Sequence, residues 1–171
     1  IRAGKAFMTL QEGESVLRPA LVPKTPEMAV TLSEKGRMLL FAYDELKELA
    51  ELLGAPVTTS LGGKSSFPET HPLSMGSGGN ALPGPVHHFV QKSDLVIGIG
   101  CSFTETNFGI SMPKGKTVIH TTLDPNHLNK DLRCQYGLVG DAKLALRAMI
   151  DECSRLVGGK KRDAGPVAAE I

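Results

Sequence analysis

The stretch DLVIGIG, residues 94–100, decides the fold. It is apolar throughout instead of alternating between apolar and polar residues, which is typical of a central parallel strand covered on both faces. Parallel strands need a crossover connection, usually a helix, so helices are expected before and after this stretch. The stretch therefore predicts an α/β domain with a mostly parallel sheet.

The neighbouring segments show the alternation of strands and helices that this prediction requires. Four more short apolar or β-branched runs predict strands, at 38–42, 56–59, 116–121 and 136–139. Helical patterns follow Asp44 and Asp141, which are expected to cap two helices, and a shorter helix is expected at 85–92. The prediction is a Rossmann-like three-layer domain with helices flanking a sheet of about five to six strands.

Two regions fall outside this regular pattern. Residues 1–36 contain prolines at 19, 23 and 26, and each proline moves its predecessor away from the helical region, so an extended linker is expected. Residues 62–85 are rich in Gly, Ser and Pro, and a loop of this length in a compact domain is usually functional or an interface. The regular domain is therefore predicted to span 37–157, with 158–171 as a tail or linker.

The composition argues against several classes of partner. The formal net charge of +1 gives no electrostatic footprint for nucleic acid or an anionic membrane. No apolar run is long enough to span a bilayer, and the N-terminus lacks the pattern of a signal peptide. The three cysteines are far apart and form no CxxC pair, which argues against a disulfide framework or a zinc ribbon. We therefore expect a cytoplasmic protein without nucleic-acid or membrane partners.

Ligands of parallel sheets bind outside the carboxyl ends of the strands, so the residues there are the candidate binding positions. Gly98 and Gly100 begin a dinucleotide fingerprint, but the position of its third glycine is occupied by Phe103. Such glycines serve either a plain turn or the close approach of backbone to a ligand. Asp124 and Asp141 follow two other strands, where each would cap a helix or contact a ribose or adenine.

The remaining motifs supply no catalytic or metal site. The stretch GGKS, 62–65, lacks the first glycine of a phosphate-binding loop, because position 58 is Thr58. The histidines have no metal-ligand spacing, and no serine stands in a GxSxG elbow. The residues therefore predict no catalytic and no metal-ligating group in this chain.

A longer match extends from the first helix into the glycine-rich region. The run LKELAELLGAPVTT at 46–59, continued by GKSSFPETHPLSMG at 63–76, resembles the central domain of thiamine-diphosphate-dependent enzymes, the group of acetolactate synthase and the 2-oxo-acid decarboxylases. Three later segments agree in order and spacing: SDLVIGIG at 93–100, VIHTTLDP at 118–125 and VGDAK at 139–143. The resemblance covers about 44–150, and residues 1–36 resemble the end of the family's N-terminal domain with its linker.

The resemblance implies a part of a thiamine-diphosphate-dependent lyase or transferase acting on 2-oxo acids. In this family thiamine diphosphate and Mg²⁺ bind between the two flanking domains, which become the expected partners of this chain in a homo-oligomeric parent enzyme. The GDG motif that begins the metal site is not present, because Gly140 and Asp141 are followed by Ala142. The isolated chain is therefore expected to be a scaffold without activity of its own.

The resemblance also implies a nucleotide cleft, since the central domain binds FAD in acetolactate synthases and ADP in some CoA-linked relatives. The cofactor-binding positions carried over by motif are Thr59, Ser60, Gly100, Cys101, Ser102, Asp124, Pro125, Asp141 and Ala142. Flavin-binding members have a glycine-rich turn after the first strand and an arginine after the strand that ends at Gly100. This chain has AYD at 42–44 and FTET at 103–106 in those places. The alternative hypothesis is a free-standing module that binds ADP, FAD or NAD.

Overall fold

The computed structural model describes residues 29–32, 38–41, 43–64, 66–78, 83–105 and 109–171. The strands are β1 (Ala29–Leu32), β2 (Met38–Phe41), β3 (Val57–Ser60), β4 (Ser74–Gly78), β5 (Leu95–Ile99), β6 (Thr117–Thr122) and β7 (Tyr136–Val139). The helices are α1 (Tyr43–Leu53), α2 (Gly84–Lys92), α3 (Ala142–Leu156) and α4 (Gly165–Glu170), with a 3₁₀ turn at Pro125–His127. None of the described helices is long and apolar enough to cross a membrane.

The stretch predicted as a central strand is β5, and it forms a parallel sheet with β6 and β7 in the order β5-β6-β7. The prediction of a central position is wrong for the described sheet, because β5 lies at its edge and β6 lies between its two neighbours. Gly98 lies opposite His120, and His120 lies opposite Gly137, so the three strands run in register. The α/β class with parallel strands and flanking helices is confirmed. The sheet itself is smaller than expected, because the largest sheet among the described residues has three strands rather than five or six.

A second parallel pair joins β3 to β4, and the prediction of a loop throughout 62–85 is wrong at this strand. The sequence SMGSG of β4 has no β-branched residue, so its local propensity for a strand is low. Pairing with β3 supplies the stability instead, and a hydrogen bond of 2.9 Å between the hydroxyls of Thr59 and Ser77 ties the two strands together.

Antiparallel pairing joins β1 to β2 across the predicted domain boundary at 36/37, with Ala29 opposite Phe41. The strand β1 was not expected from the sequence. The domain bounds 1–36, 37–157 and 158–171 stay a prediction.

Helices α1 and α3 pack on one face of the three-stranded sheet. Leu49, Leu146 and Ile150 form their buried contact, and Ile99 of β5 packs against it. Asp141 caps α3 as predicted, by accepting hydrogen bonds from the backbone N–H groups of residues 143 and 144. The expectation for Asp44 is wrong by one residue, because α1 begins at Tyr43 and Asp44 lies in its first turn, where a negative charge still suits the helix dipole.

The opposite face of this sheet is covered by chain connections. Side chains alternate between the two faces of a strand, so Val96, Gly98, Val118 and His120 share the face that α1 and α3 leave free. The described connections 100–105, 109–116 and 123–135 contain no helix longer than the 3₁₀ turn. Irregular backbone therefore takes the place of a crossover helix here, which shapes both ends of the sheet.

The last residues of the chain return to the domain and pack on it. Val167 of α4 contacts two buried clusters, one around Phe67 and Leu73 and one around Val86. The backbone N–H of Arg162 donates to the carbonyl of Leu52 at 3.0 Å. Ion pairs join Lys161 to Glu51 at 2.7 Å and Lys92 to Glu170 at 2.6 Å. No helix was expected in this segment, because six residues with two alanines carry no distinctive helical pattern.

The ion pair at Glu51 predicts a loss of stability in acid. The hydrogen bonds from Lys161 and then from His71 lower the pKa of Glu51 below its ordinary value of 4.5. A lowered folded-state pKa means that the stabilisation is complete above pH 4.5 and is lost as the pH falls below that value. We expect Glu51→Gln to reduce the free energy of unfolding at neutral pH by up to about 1 kcal/mol, measured by urea denaturation.

The difference between Glu51→Gln and the unmodified chain should shrink when the pH is lowered well below 4.5, because both then carry a neutral side chain at this position. The matched control is Glu69→Gln, since the Glu69 side chain is 52% exposed and its carboxylate lies 3.8 Å from Lys64. A difference that stays constant with pH would contradict the assignment.

Candidate functional site

The carboxyl ends of β5, β6 and β7 lie side by side at one edge of the sheet. The N–H of Gly100 donates to the carbonyl of Thr121 at 2.9 Å, and the N–H of Gly140 donates to that of Thr122 at 3.0 Å. The structure therefore brings seven of the nine predicted positions to this edge, namely Gly100, Cys101, Ser102, Asp124, Pro125, Asp141 and Ala142. Thr59 and Ser60 end β3, which belongs to the two-stranded sheet with β4.

The chain after β5 folds back over its own strand. A Cβ atom added to Gly98 would overlap the ring of Phe103 and would lie 2.9 Å from the Sγ atom of Cys101. Phe103 itself has a φ of 46°, a left-handed conformation that costs a side chain other than glycine about 1 kcal/mol or more. The Phe103 ring therefore occupies the surface that Gly98 would otherwise offer to a ligand.

His120 holds this arrangement from the neighbouring strand. It is 0% exposed, its Nε2 atom lies 2.8 Å from the carbonyl oxygen of Cys101, and its ring meets Phe103 edge to face at 4.8 Å between centroids. A carbonyl oxygen can only accept, so Nε2 donates this hydrogen bond and Nδ1 is the other nitrogen of the ring. Among the described residues this Nδ1 has no hydrogen-bond partner.

Neither Phe103 nor His120 is among the nine positions predicted from the sequence. The available signal was the bulky residue at the third position of the glycine fingerprint, which excludes ordinary dinucleotide packing. A lone histidine in the strand TVIHTT carries no comparable signal, because its burial depends on the loop that follows β5.

The predicted hydroxyl side chains have hydrogen-bond partners within the chain. Ser60 Oγ accepts from the N–H of Gly63 at 3.1 Å. Ser102 Oγ accepts from the N–H of Thr104 at 3.3 Å and lies 2.8 Å from its hydroxyl. Thr59 forms a hydrogen bond with Ser77 of β4, so each of the three predicted hydroxyls stabilises a turn or a strand pair.

The predicted carboxylates have similar roles. Asp124 accepts from the backbone N–H of Asn126 at 2.9 Å, and this hydrogen bond lowers the pKa of Asp124. Asp141 accepts at 2.9 Å from the N–H of Lys143 as the cap of α3. Both carboxylates therefore cap the start of a helix or helical turn, which is one of the two roles that the sequence left open.

The thiol of Cys101 is not an activated nucleophile. Removal from solvent raises the pKa of Cys101, which keeps it protonated at neutral pH. In the part of the chain that the structure describes, no three His, Cys, Asp or Glu side chains come together as a metal site. The described edge offers turns and backbone groups together with His127, whose Nε2 lies 3.7 Å from the carboxylate of Asp124 and whose Nδ1 lies 3.3 Å from the hydroxyl of Thr122.

An open groove adjoins this edge between β7 and α3. Its volume is about 490 Å³, and most of its lining is apolar, including Leu138, Val139, Leu144 and Met149. Leu144 is 70% exposed and Val139 is 54% exposed. Apolar side chains grouped on a surface in this way mark contact with a partner domain or a ligand.

Comparison with known proteins assigns the chain to a family. The family described as "Thiamine pyrophosphate enzyme, central domain" matches residues 30–149. The chain belongs to this family, as its central domain. This confirms the resemblance stated from the sequence.

Similar proteins agree with this assignment. The chain is 33% identical over 136 residues to a protein of Methanococcus aeolicus named probable acetolactate synthase large subunit, covering 78% of the chain and 23% of the relative. It is 37% identical over 127 residues to a protein of the same name from Methanocaldococcus jannaschii, covering 72% and 21%. The structure of benzoylformate decarboxylase from Polynucleobacter necessarius superposes with a TM-score of 0.53 at 27% identity, over 71% of this chain and 22% of that one. The chain therefore spans less than a quarter of the length of these relatives.

The contact between Gly98 and Phe103 predicts that a single methyl group added at position 98 destabilises the fold. We expect Gly98→Ala to lower the free energy of unfolding by about 1–3 kcal/mol, because the ring and the sulfur atom would have to move. Gly62→Ala is the control, since a Cβ there meets nothing within 4 Å, and it should change stability by less than about 0.5 kcal/mol. Urea denaturation measures both. Equal stability of the two variants would show that Phe103 does not pack on Gly98.

Proposed function

We propose that this chain is the central scaffold of a larger thiamine-diphosphate-dependent enzyme that acts on 2-oxo acids, in the manner of acetolactate synthase. The observation that carries the proposal is the match of residues 30–149 to the central domain of the family. Two relatives with the acetolactate synthase name support the substrate class. Among the described residues no three His, Cys, Asp or Glu side chains come together as a metal site, and burial raises the pKa of the Cys101 thiol, both of which suit a scaffold.

The family implies thiamine diphosphate as the cofactor of the parent enzyme, and we propose that Mg²⁺ accompanies it. The residues of this chain do not fit the metal, because the carboxylate of Asp141 is engaged as the cap of α3 and the next residue is Ala142. Both groups would therefore be held by the flanking domains. The part of this chain would be to fix the distance and orientation between those domains.

The groove between β7 and α3 is the proposed contact for a flanking domain. Leu138 and Val139 of β7 and Leu144 of α3 expose apolar surface, and burial of such surface stabilises by about 25 cal/mol per Å². The proposal includes assembly of the parent into a homo-oligomer. It also includes a cytoplasmic location, for which the three free cysteines, Cys101, Cys134 and Cys153, are the support.

A nucleotide-binding module remains the second candidate, with FAD or ADP as the ligand. The convergence of three strand ends beside an open groove supports it, because nucleotides bind at this position in parallel sheets. The ring of Phe103 over Gly98 argues against it, since a ligand could approach this backbone only after the ring had moved. We therefore favour the scaffold role.

Calorimetry separates these two candidates. We expect no heat of binding when ADP, FAD, NAD or CoA is added to the chain, because Phe103 covers Gly98 and the predicted hydroxyls are engaged. A dissociation constant in the micromolar range or tighter would favour the module. Phe103→Ala is the informative variant, because binding gained only in this variant would show that the ring closes a functional cleft.

The coding sequence on both sides of this chain tests the parent enzyme directly. The proposal requires an upstream domain with an activating glutamate and a downstream domain with a GDG motif followed by paired asparagines. An open reading frame that contains neither would overturn the scaffold proposal, whatever the result of calorimetry.

A further inference from the structure

A second cavity lies at the amino end of the three-stranded sheet. Its volume is about 430 Å³, within the range of sites for small molecules. Val96 and Val118 form its floor, from the face of the sheet that α1 and α3 leave free, and Met112 and Leu132 add further apolar surface from the connections. We call this cavity the amino-end pocket.

The amino-end pocket is separate from the predicted nucleotide edge. Val96 and Val118 are the second residues of β5 and β6, whereas the predicted positions follow the last residues of these strands. The six residues of β6 span roughly 20 Å at about 3.3 Å per residue. A ligand in this pocket would therefore not occupy the carboxyl edge.

Hydrogen bonds hold the walls of the amino-end pocket in place. Gln135 pairs with Val118 twice, through its backbone N–H at 3.0 Å and through its side-chain oxygen at 2.7 Å. The carboxylate of Asp131 accepts from the N–H of Glu105 at 2.9 Å, which joins the two connections to each other. Such a preformed site binds with a smaller loss of conformational entropy.

Positive charge dominates the rim of the amino-end pocket. Lys114, Lys116 and Arg133 line it, with Asp131 as the acidic residue. Gly115 has a φ of 87°, which permits the tight turn that separates the two lysines. Lys116 donates to the carbonyls of Gln91 and Ser93 at the end of α2, so its ammonium group is already engaged.

Lys114 and Arg133 are exposed and remain available. In the described part of the chain, neither forms an ion pair within 4.0 Å or a side-chain hydrogen bond, whereas the carboxylate of Asp131 is engaged by Glu105. Two unengaged cations above an apolar floor complement a molecule that has an anionic end and an apolar body. Guanidinium and ammonium groups both suit carboxylates and phosphates.

We propose that the amino-end pocket binds a small organic anion, with its carboxylate or phosphate between Lys114 and Arg133 and its apolar part on Val96, Val118 and Leu132. The inference does not depend on the scaffold role, because it concerns the opposite end of the sheet. It assigns this domain a ligand site that is independent of a flavin or an ADP.

Three probes test the two halves of this proposal, with binding measured by calorimetry and by amide shifts in NMR spectra. Phenyl phosphate and benzoate carry both an anionic group and an apolar ring, inorganic phosphate carries the charge alone, and benzyl alcohol serves as the neutral ring. We expect binding of phenyl phosphate or benzoate that is at least tenfold tighter than binding of inorganic phosphate or benzyl alcohol. The stronger of the two ring anions distinguishes a phosphate site from a carboxylate site.

Variants locate the binding. Arg133→Gln and Lys114→Gln should each weaken binding of the preferred ring anion by about tenfold, because each removes a charge-assisted hydrogen bond. Leu132→Ala should weaken the ring anion but not inorganic phosphate. Lys64→Gln, on the loop after β3, is the matched control and should change nothing. Equal binding by Arg133→Gln and the unmodified chain, or no binding of any ring anion at millimolar concentration, would overturn the proposal.

Discussion

The contact between Gly98 and the ring of Phe103 is the constraint on which the central sheet depends. Parallel pairing places Gly98 opposite His120, and the missing Cβ leaves space for an aromatic ring on that face. His120 then fixes the returning chain through the carbonyl of Cys101 and through its edge-to-face contact with Phe103. The connection after β5 turns back across its own strand, so irregular backbone packs on this face of the sheet. The carboxyl end and the amino end of this face are therefore lined by different kinds of side chain.

The parts of the fold that local patterns specify could be predicted from the sequence. The apolar runs gave β2, β5, β6 and β7, and the helical spacing of leucines gave α1 and α3, because periodicity reports which side of an element is buried. The strand β4 and the helix α4 depend on distant partners instead. The strand needs β3 to satisfy its backbone, and the helix needs the clusters around Phe67 and Val86 on which Val167 packs. No residue within SMGSG or GPVAAE reports those partners.

The same distinction applies to the candidate site. The strand ends that carry Gly100, Asp124 and Asp141 lie together, as parallel neighbours require, and the binding role of these positions stays a prediction. The motif could not predict whether a side chain covers the backbone at that edge. The absence of a third glycine argues against ordinary dinucleotide packing, but the path of the Phe103 ring depends on a φ of 46° and on a buried histidine from another strand. Such facts belong to tertiary structure, and a resemblance conveys them only where relatives share the same loop.

The two ends of the sheet differ in which polar side chains already form hydrogen bonds within the chain. At the carboxyl end, Ser60, Ser102, Asp124 and Asp141 each accept a hydrogen bond from within the chain, so a ligand would have to compete for these oxygen atoms. At the amino end, Lys116 and Asp131 are engaged, whereas Lys114 and Arg133 are exposed and form no ion pair within the part of the chain that the structure describes. A ligand that pairs with these two cations also meets an apolar floor formed by Val96 and Val118 of the strands. A polar ligand group needs a charged or hydrogen-bonding partner that is not already paired within the fold. In the described part of this domain, such partners lie beside Val96 and Val118 rather than beside Gly98.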